Sequence, residues 1–213
     1  MNYRDFLQKI IYVIINPVIK GMMKVGLTPN MVTTIGLLLN GVVTWMFIQS
    51  ALAFDGESAT AYNLIGWGGG LVLFAGVFDM MDGRLARLSG QSSAFGALWD
   101  STLDRYSELI TLFGVVLVFI KADWFWMGIV TFLAMVGSVM VSYVRARAEG
   151  LGIECKVGLM QRPERVVVLA VVAILTGCTQ SLWWLAGGMM AIAALANVTA
   201  FWRLAHCYRV LNK

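Results

Sequence analysis

Six apolar segments, at approximately 32–52, 62–82, 96–120, 124–145, 164–180 and 182–204, occupy most of the chain. Each approaches the ~20 residues that a helix needs to cross the hydrocarbon core of a bilayer. Inside that core every backbone N–H and C=O must be satisfied within its own segment, so runs of this length read as helices. The breaks between them are short and carry turn residues: Asp55-Gly56-Glu57-Ser58, Ser89-Gly90-Gln91-Ser92, Lys121-Ala122-Asp123, Gly150-Leu151-Gly152 and Gly177-Cys178-Thr179-Gln180. At 59% hydrophobic and 13% charged residues, the chain is too apolar for an ordinary soluble domain. The expectation is an all-α integral membrane protein: a single domain over 1–213 whose residues 32–204 form a bundle of six transmembrane helices.

Charge placement orients this bundle. With the N-terminus inside, 15 of the 16 Lys and Arg residues fall on the cytoplasmic side and Lys121 alone falls outside. A five- or seven-span arrangement would put a basic cluster on the wrong face. Both termini are therefore expected in the cytoplasm, in a protein of the cytoplasmic (inner) membrane. Ahead of the first span, Phe6, Ile10, Val13, Ile14, Val18 and Met22 recur at mostly three- and four-residue steps among Arg4, Lys9, Lys20 and Lys24. That pattern suits an amphipathic helix over 3–24 lying at the interface, kinked or interrupted at Pro17. No cleavable signal peptide is apparent.

The net charge of +4 suits anionic lipid headgroups better than nucleic acid. Cys155, Cys178 and Cys207 lack any paired spacing and read as packing residues, and His206 as an interfacial side chain.

Against this apolar background stand four aspartates: Asp79-x-x-Asp82-Gly83-x-x-Ala86-Arg87, eight residues to Gly96, then x-x-x-Asp100-x-x-x-Asp104. Carboxylates are among the costliest groups to hold near a bilayer, and there they usually serve function. Spacings of three and four place each pair on one helix face. Four carboxylates at two adjoining helix ends repel one another unless a hard divalent cation sits between them, and oxygen-only donors fit Mg²⁺, Mn²⁺ or Ca²⁺. By orientation the four lie at the cytoplasmic ends of spans two and three. Gly83 leaves room for close backbone approach of a phosphate. Arg87 offers a planar fork, and Gly96 is expected to let span three pack against span two.

The eight fixed positions between Asp79 and Asp104 resemble the signature of the CDP-alcohol phosphotransferase family. That resemblance implies transfer of the phosphatidyl group of CDP-diacylglycerol to an alcohol, with release of CMP. It implies Mg²⁺ (Mn²⁺ possible) held by Asp79, Asp82, Asp100 and Asp104, with Asp104 also the general base. Gly83, Arg87 and Ser93 match positions that contact the cytidine diphosphate. The segment Leu27-Thr28-Pro29-Asn30-Met31-Val32-Thr33 is similar to the family's entry to its first span, which closes over the nucleotide. Thr28 or Asn30 as a helix cap with Pro29 in the first turn is a physically adequate account of the same residues.

For the acceptor, Ser142-Tyr143-Val144-Arg145-Ala146-Arg147-Ala148-Glu149 and Gln161-Arg162-Pro163-Glu164-Arg165 resemble the phosphatidylinositol phosphate synthase branch, which uses inositol 1-phosphate. Arg145, Arg147, Arg165 and Arg203 are expected to converge on the acceptor's phosphate, a dianion that calls for several charge-assisted donors. Arg162 reads as a surface partner of Glu164. Arg145, where the branch often has lysine, and Gln161, where it often has an acidic residue, depart from the pattern. The runner-up acceptor is glycerol 3-phosphate, as in phosphatidylglycerophosphate synthase. A divalent-cation transporter is the alternative of another class, disfavoured because spans four to six carry no carboxylates at mid-depth. Family resemblance also implies a homodimer.

Overall fold

The structure, a computed structural model, describes residues 15–54 and 58–212. Every regular element among them is helical: α1 over 15–24, α2 Pro29–Ala53, α3 Ser58–Ser89, α4 Ala94–Lys121, α5 Phe125–Glu149, α6 Arg162–Thr179 and α7 Leu182–Leu211. The starts and stops follow local chemistry. Thr28 caps α2 by accepting from the Met31 N–H at 3.3 Å, and Pro29 fills the first turn, where its missing N–H costs nothing. Gly90, at φ +68°, ends α3 in the left-handed region, and the Gln91 N–H returns to the Ala86 carbonyl. Ser93 then caps α4 through the Gly96 N–H at 2.9 Å. The expected break at Gly177–Gln180 falls later than the sequence suggested. Helix α6 runs on to Thr179, and Gly177 serves helix packing while Gln180 makes the left-handed turn.

The helices close into a ring in the order α3, α2, α4, α5, α7, α6 and back to α3. Helices α3 and α4, joined by four residues, are not neighbours in this ring, because the start of α2 lies between them. The main core fills the half of the ring away from the aspartates, with Phe47, Ile65, Leu112, Phe119, Leu185, Met189 and Ile192. Close approach is bought with glycine at α3: a Cβ on Gly69 would lie 2.8 Å from the Ala170 carbonyl and the Ala173 methyl of α6.

Four helices, α2, α3, α5 and α7, are long and apolar enough to cross a membrane by length and composition. That is fewer than the six spans expected. Helix α4 carries Asp100, Asp104, Arg105 and Glu108 within its first fifteen residues, and α6 has only 18 residues with Arg162, Glu164 and Arg165 in its first turn. Most of the charges that lower their apolarity, Asp100, Asp104, Glu108, Arg162 and Arg165, are those that build the site.

Of the expected interfacial helix, residues 3–14 lie outside the described residues, as do 55–57 of the first turn. The described part, 15–24, is helical through Pro17. It buries Ile15 and Ile19, with Met22 beside them, against Val32, Phe78, Met81 and Leu85. Val18, assigned to the same apolar face from its spacing, lies outside this cluster and is exposed. The loop from Gly150 to Gln161 is pinned to α7: the Leu159 and Met160 N–H groups donate to Thr199 Oγ1, and Arg203 Nε donates to the Val157 carbonyl at 2.8 Å. Cys155 and Cys207 are buried together there, and burial pushes the Cys155 thiol up, as suits inert packing residues. Cys178 is exposed. His206 Nε2 lies 3.2 Å from the Glu154 carbonyl.

Candidate metal centre

Helix α3 delivers Asp79 and Asp82 from its last turns, and α4 delivers Asp100 and Asp104 from its first. The ring brings Asp79, Asp100 and Asp104 together so that one carboxylate oxygen of each lies within 4.8 Å of the others. Asp82 stands beside the three, within Coulombic reach of Asp79 and Asp100, but its oxygens are engaged elsewhere. Its Oδ2 accepts from Thr33 Oγ1 of α2 at 2.7 Å, and its Oδ1 accepts from the Gly83 N–H. Of the four expected ligands, three form the group, and a hydroxyl from α2 anchors the fourth.

The donor set fits a hard divalent cation: it is all oxygen and anionic, and it converges from two helices. A second observation agrees. Arg162 of α6 reaches between the carboxylates and its Nη1 lies 2.8 Å from both Asp79 Oδ1 and Asp104 Oδ2. A cation therefore already occupies the negative potential between those two side chains. Arg162 is not the surface partner of Glu164 that the sequence suggested. It is mostly buried, with its Nε unpartnered. The signal that could have found it is the helix start itself: Pro163 sets α6, and Arg162 and Arg165 then share one face at a spacing of three.

Two cavities meet at this group, and both are lined by Thr33 and Asp82. The smaller, about 220 Å³, lies between the starts of α2 and α4 and the end of α3, and its walls include Pro29, Asn30, Gly83, Arg87, Ser93 and Asp100. Five of the seven residues assigned to the nucleotide thus share one wall. The other two do not line it: Thr28 is the cap of α2, and the Met31 side chain is exposed. A Cβ on Gly83 would meet only Arg87 Nη1, at 4.0 Å, so glycine here leaves cavity space. Gly96 does not serve packing of span three against span two as expected. A Cβ there would meet Ser93 Oγ at 3.1 Å and Asn30 Oδ1 at 3.4 Å, so it lets α4 start against the entry to α2.

The larger cavity, about 330 Å³, lies inside the ring between α2, α3, α4 and α6, and holds Asp79, Asp104, Glu108, Arg162 and Arg165. The four expected acceptor arginines do not all reach it. Arg165 lines it, 2% exposed, and grips Glu108 through Nε at 2.5 Å and Nη2 at 2.8 Å. Arg203 is as deeply buried, but it spends its donors on the carbonyls of Val157 and Val141, tying the loop and α5 to α7. Arg145 pairs with Glu149 one turn on at 2.8 Å, and Arg147 is exposed. Arg145 and Arg165 nonetheless stay within Coulombic reach of Arg203. Glu108 escaped the sequence reading, although it continues the four-residue ladder of Asp100 and Asp104 along one face of α4.

Known proteins resemble this chain in sequence and fold. The family model described as CDP-alcohol phosphatidyltransferase matches residues 26–205. The chain is 32% identical over 195 residues to the phosphatidylinositol phosphate synthase of Mycobacteroides abscessus, covering 90% of this chain and 82% of that one. It is 37% identical over 145 residues to the archaetidylinositol phosphate synthase of Methanothermobacter thermautotrophicus, covering 68% and 71%. Its fold matches the Mycobacterium tuberculosis phosphatidylinositol phosphate synthase solved with CDP-DAG bound, at a TM-score of 0.73, 30% identity, and coverage of 90% and 92%. The same protein solved with manganese and citrate matches at a TM-score of 0.67, 29% identity, and coverage of 90% and 88%.

Proposed function

The chain belongs to the CDP-alcohol phosphatidyltransferase family, and from that membership we propose that it transfers the phosphatidyl group of CDP-diacylglycerol to inositol 1-phosphate, giving phosphatidylinositol phosphate and CMP. The observation that carries this reading is the meeting of two cavities at one carboxylate group, one walled by the nucleotide motif and the other by a buried arginine. Transfer between two substrates needs that arrangement, with the reacting phosphorus at the junction. Support for the acceptor comes from the relatives' names: the two differ in lipid and share the inositol phosphate.

In this reading the whole chain is one domain. Asp79, Asp100 and Asp104, with Asp82 beside them, would hold a divalent cation, Mg²⁺ by preference. When bound, such an ion neutralises pyrophosphate charge and polarises the phosphorus. Pro29, Asn30, Gly83, Arg87 and Ser93 bind the cytidine diphosphate, and Thr33 holds Asp82 in place. Asp104 accepts the proton of the attacking hydroxyl. The acceptor oxygen bonds to the phosphorus that carries the diacylglycerol as the bond from that phosphorus to the CMP oxygen breaks. Arg165 takes the acceptor's phosphate, with Arg145 and Arg203 supplying field and loop position. We place all six long helices, α2 to α7, across the cytoplasmic membrane with the site facing the cytoplasm, where soluble CMP and inositol phosphate are handled. A homodimer is part of the same reading.

The test is an acceptor panel. Purified protein, radiolabelled CDP-diacylglycerol and Mg²⁺ are incubated with inositol 1-phosphate, free inositol, glycerol 3-phosphate or serine. Labelled lipid is expected with inositol 1-phosphate. Product with glycerol 3-phosphate and none with inositol 1-phosphate would replace this acceptor with that of a phosphatidylglycerophosphate synthase.

A further inference from the structure

Helices α4 and α6 are not neighbours in the ring, yet two charged rungs join them across its interior. Arg162 reaches Asp104, and Arg165 reaches Glu108. Asp104 and Glu108 are one turn apart on α4, and Arg162 and Arg165 one turn apart on α6, so the rungs are in register. The metal-group aspartates explain the first rung. The motif leaves the second unexplained: a carboxylate 9% exposed that holds an arginine 2% exposed, at the cost of desolvating both.

We infer that Glu108 is a positioning residue for the acceptor phosphate, aiming Arg165 and keeping it off Asp104. This rests on the reading of Arg165 as the acceptor's phosphate ligand. A guanidinium carries five N–H groups in a rigid fork. Glu108 takes the Nε edge and one hydrogen of Nη2, and the Met160 carbonyl takes one of Nη1 at 3.0 Å. One N–H remains on each terminal nitrogen, which is the pair a phosphate binds in two-pronged fashion.

Without Glu108, the next carboxylate along the same face of α4 is Asp104, one turn away. Asp104 already holds Arg162, and a second guanidinium drawn there would further occupy the proposed proton acceptor and turn the fork away from the acceptor's phosphate. Two effects oppose one another. Glu108 neutralises part of the field that attracts the phosphate, and it also fixes the donors. Fixing wins because an unfixed Arg165 gains no free charge: it pairs with Asp104 instead.

The experiment compares Glu108→Gln, Arg165→Ala and the double variant in detergent, measuring KM separately for inositol 1-phosphate and CDP-diacylglycerol, with thermal melting beside each. Arg165→Ala is expected to raise the acceptor KM about ten- to a hundredfold, and Glu108→Gln about tenfold, as for one charge-assisted bond. The KM for CDP-diacylglycerol stays within about twofold in both. The double variant should match Arg165→Ala in acceptor KM, because Glu108 acts only through Arg165. It also removes both partners of the buried pair, and so keeps the test open should Glu108→Gln fold poorly. If Arg165→Ala leaves the acceptor KM unchanged, the acceptor reading of Arg165 falls and this inference with it. If Arg165→Ala raises it while Glu108→Gln leaves it unchanged, lowers it or moves both KM values alike, positioning by Glu108 is wrong and the acceptor reading stands. A double variant additive in acceptor KM would equally overturn it.

Discussion

Replacing Arg162 with glutamine should tighten divalent-metal binding rather than weaken it. Its Nη1 lies 2.8 Å from both Asp79 Oδ1 and Asp104 Oδ2. A metal that uses those oxygens must displace the guanidinium. Each charge-assisted contact is worth ~1.5 kcal/mol here, the low end of the range, since the carboxylates are 15–32% exposed and partly screened. Two contacts make about 3 kcal/mol that the metal overcomes, and Arg162 recovers part of it against Glu108, which is within Coulombic reach. The net is ~1.5–3 kcal/mol, so the Kd for Mn²⁺ should fall about ten- to a hundredfold in Arg162→Gln. The assay is calorimetric or paramagnetic titration of purified protein with Mn²⁺, without either substrate. A companion signature is stability: the metal-free variant, with its carboxylates unneutralised, melts several degrees below wild type, and saturating Mn²⁺ closes most of that gap. An unchanged or weaker Kd in Arg162→Gln would refute the reasoning, because Arg162 would then be supporting the ligands rather than competing for them.

Asp100→Asn and Asp104→Asn remove charge from the group at nearly constant volume; each should abolish CMP release while melting stays near that of wild type, as read by a radiolabel assay beside thermal unfolding. Gly69→Val should destabilise the bundle by about 1–3 kcal/mol, since its branches would strike Ala170 and Ala173 of α6, and detergent-resistance melting would register the loss. For orientation, single cysteines in a Cys-less background should react with an impermeant maleimide on intact cells at position 57 but not at 90 or 156. External labelling at 90 would put the carboxylate group on the wrong side for a cytoplasmic nucleotide.

What could be read from the chain alone was periodic or local. Apolar runs near bilayer length located all six long helices to within a few residues, apart from the overshoot of α3 and α7 beyond the apolar runs, where charged turns continue the helix. The cap at Thr28, the stop at Gly90 and the carboxylate motif are likewise written in short spacings, because each depends on neighbours within a turn or two of chain; Ser93, read only as a nucleotide contact, proved also to cap α4. Partner choice across the ring was not readable. Positive-inside charge and site-building charge look alike in a sequence, so spacing could place Arg162 and Arg165 on one helix face but could not say which of Arg145, Arg147, Arg162, Arg165 and Arg203 meets which partner. Only packing separates them: α2 wedged between α3 and α4 supplies Thr33 to Asp82, and α6 set against α3 carries Arg162 to Asp79 and Asp104. Burial then decides the rest, since a desolvated arginine must find an anion or a carbonyl within reach of its own helix face. For Arg165 that is Glu108, and for Arg203 it is the backbone of Val141 and Val157.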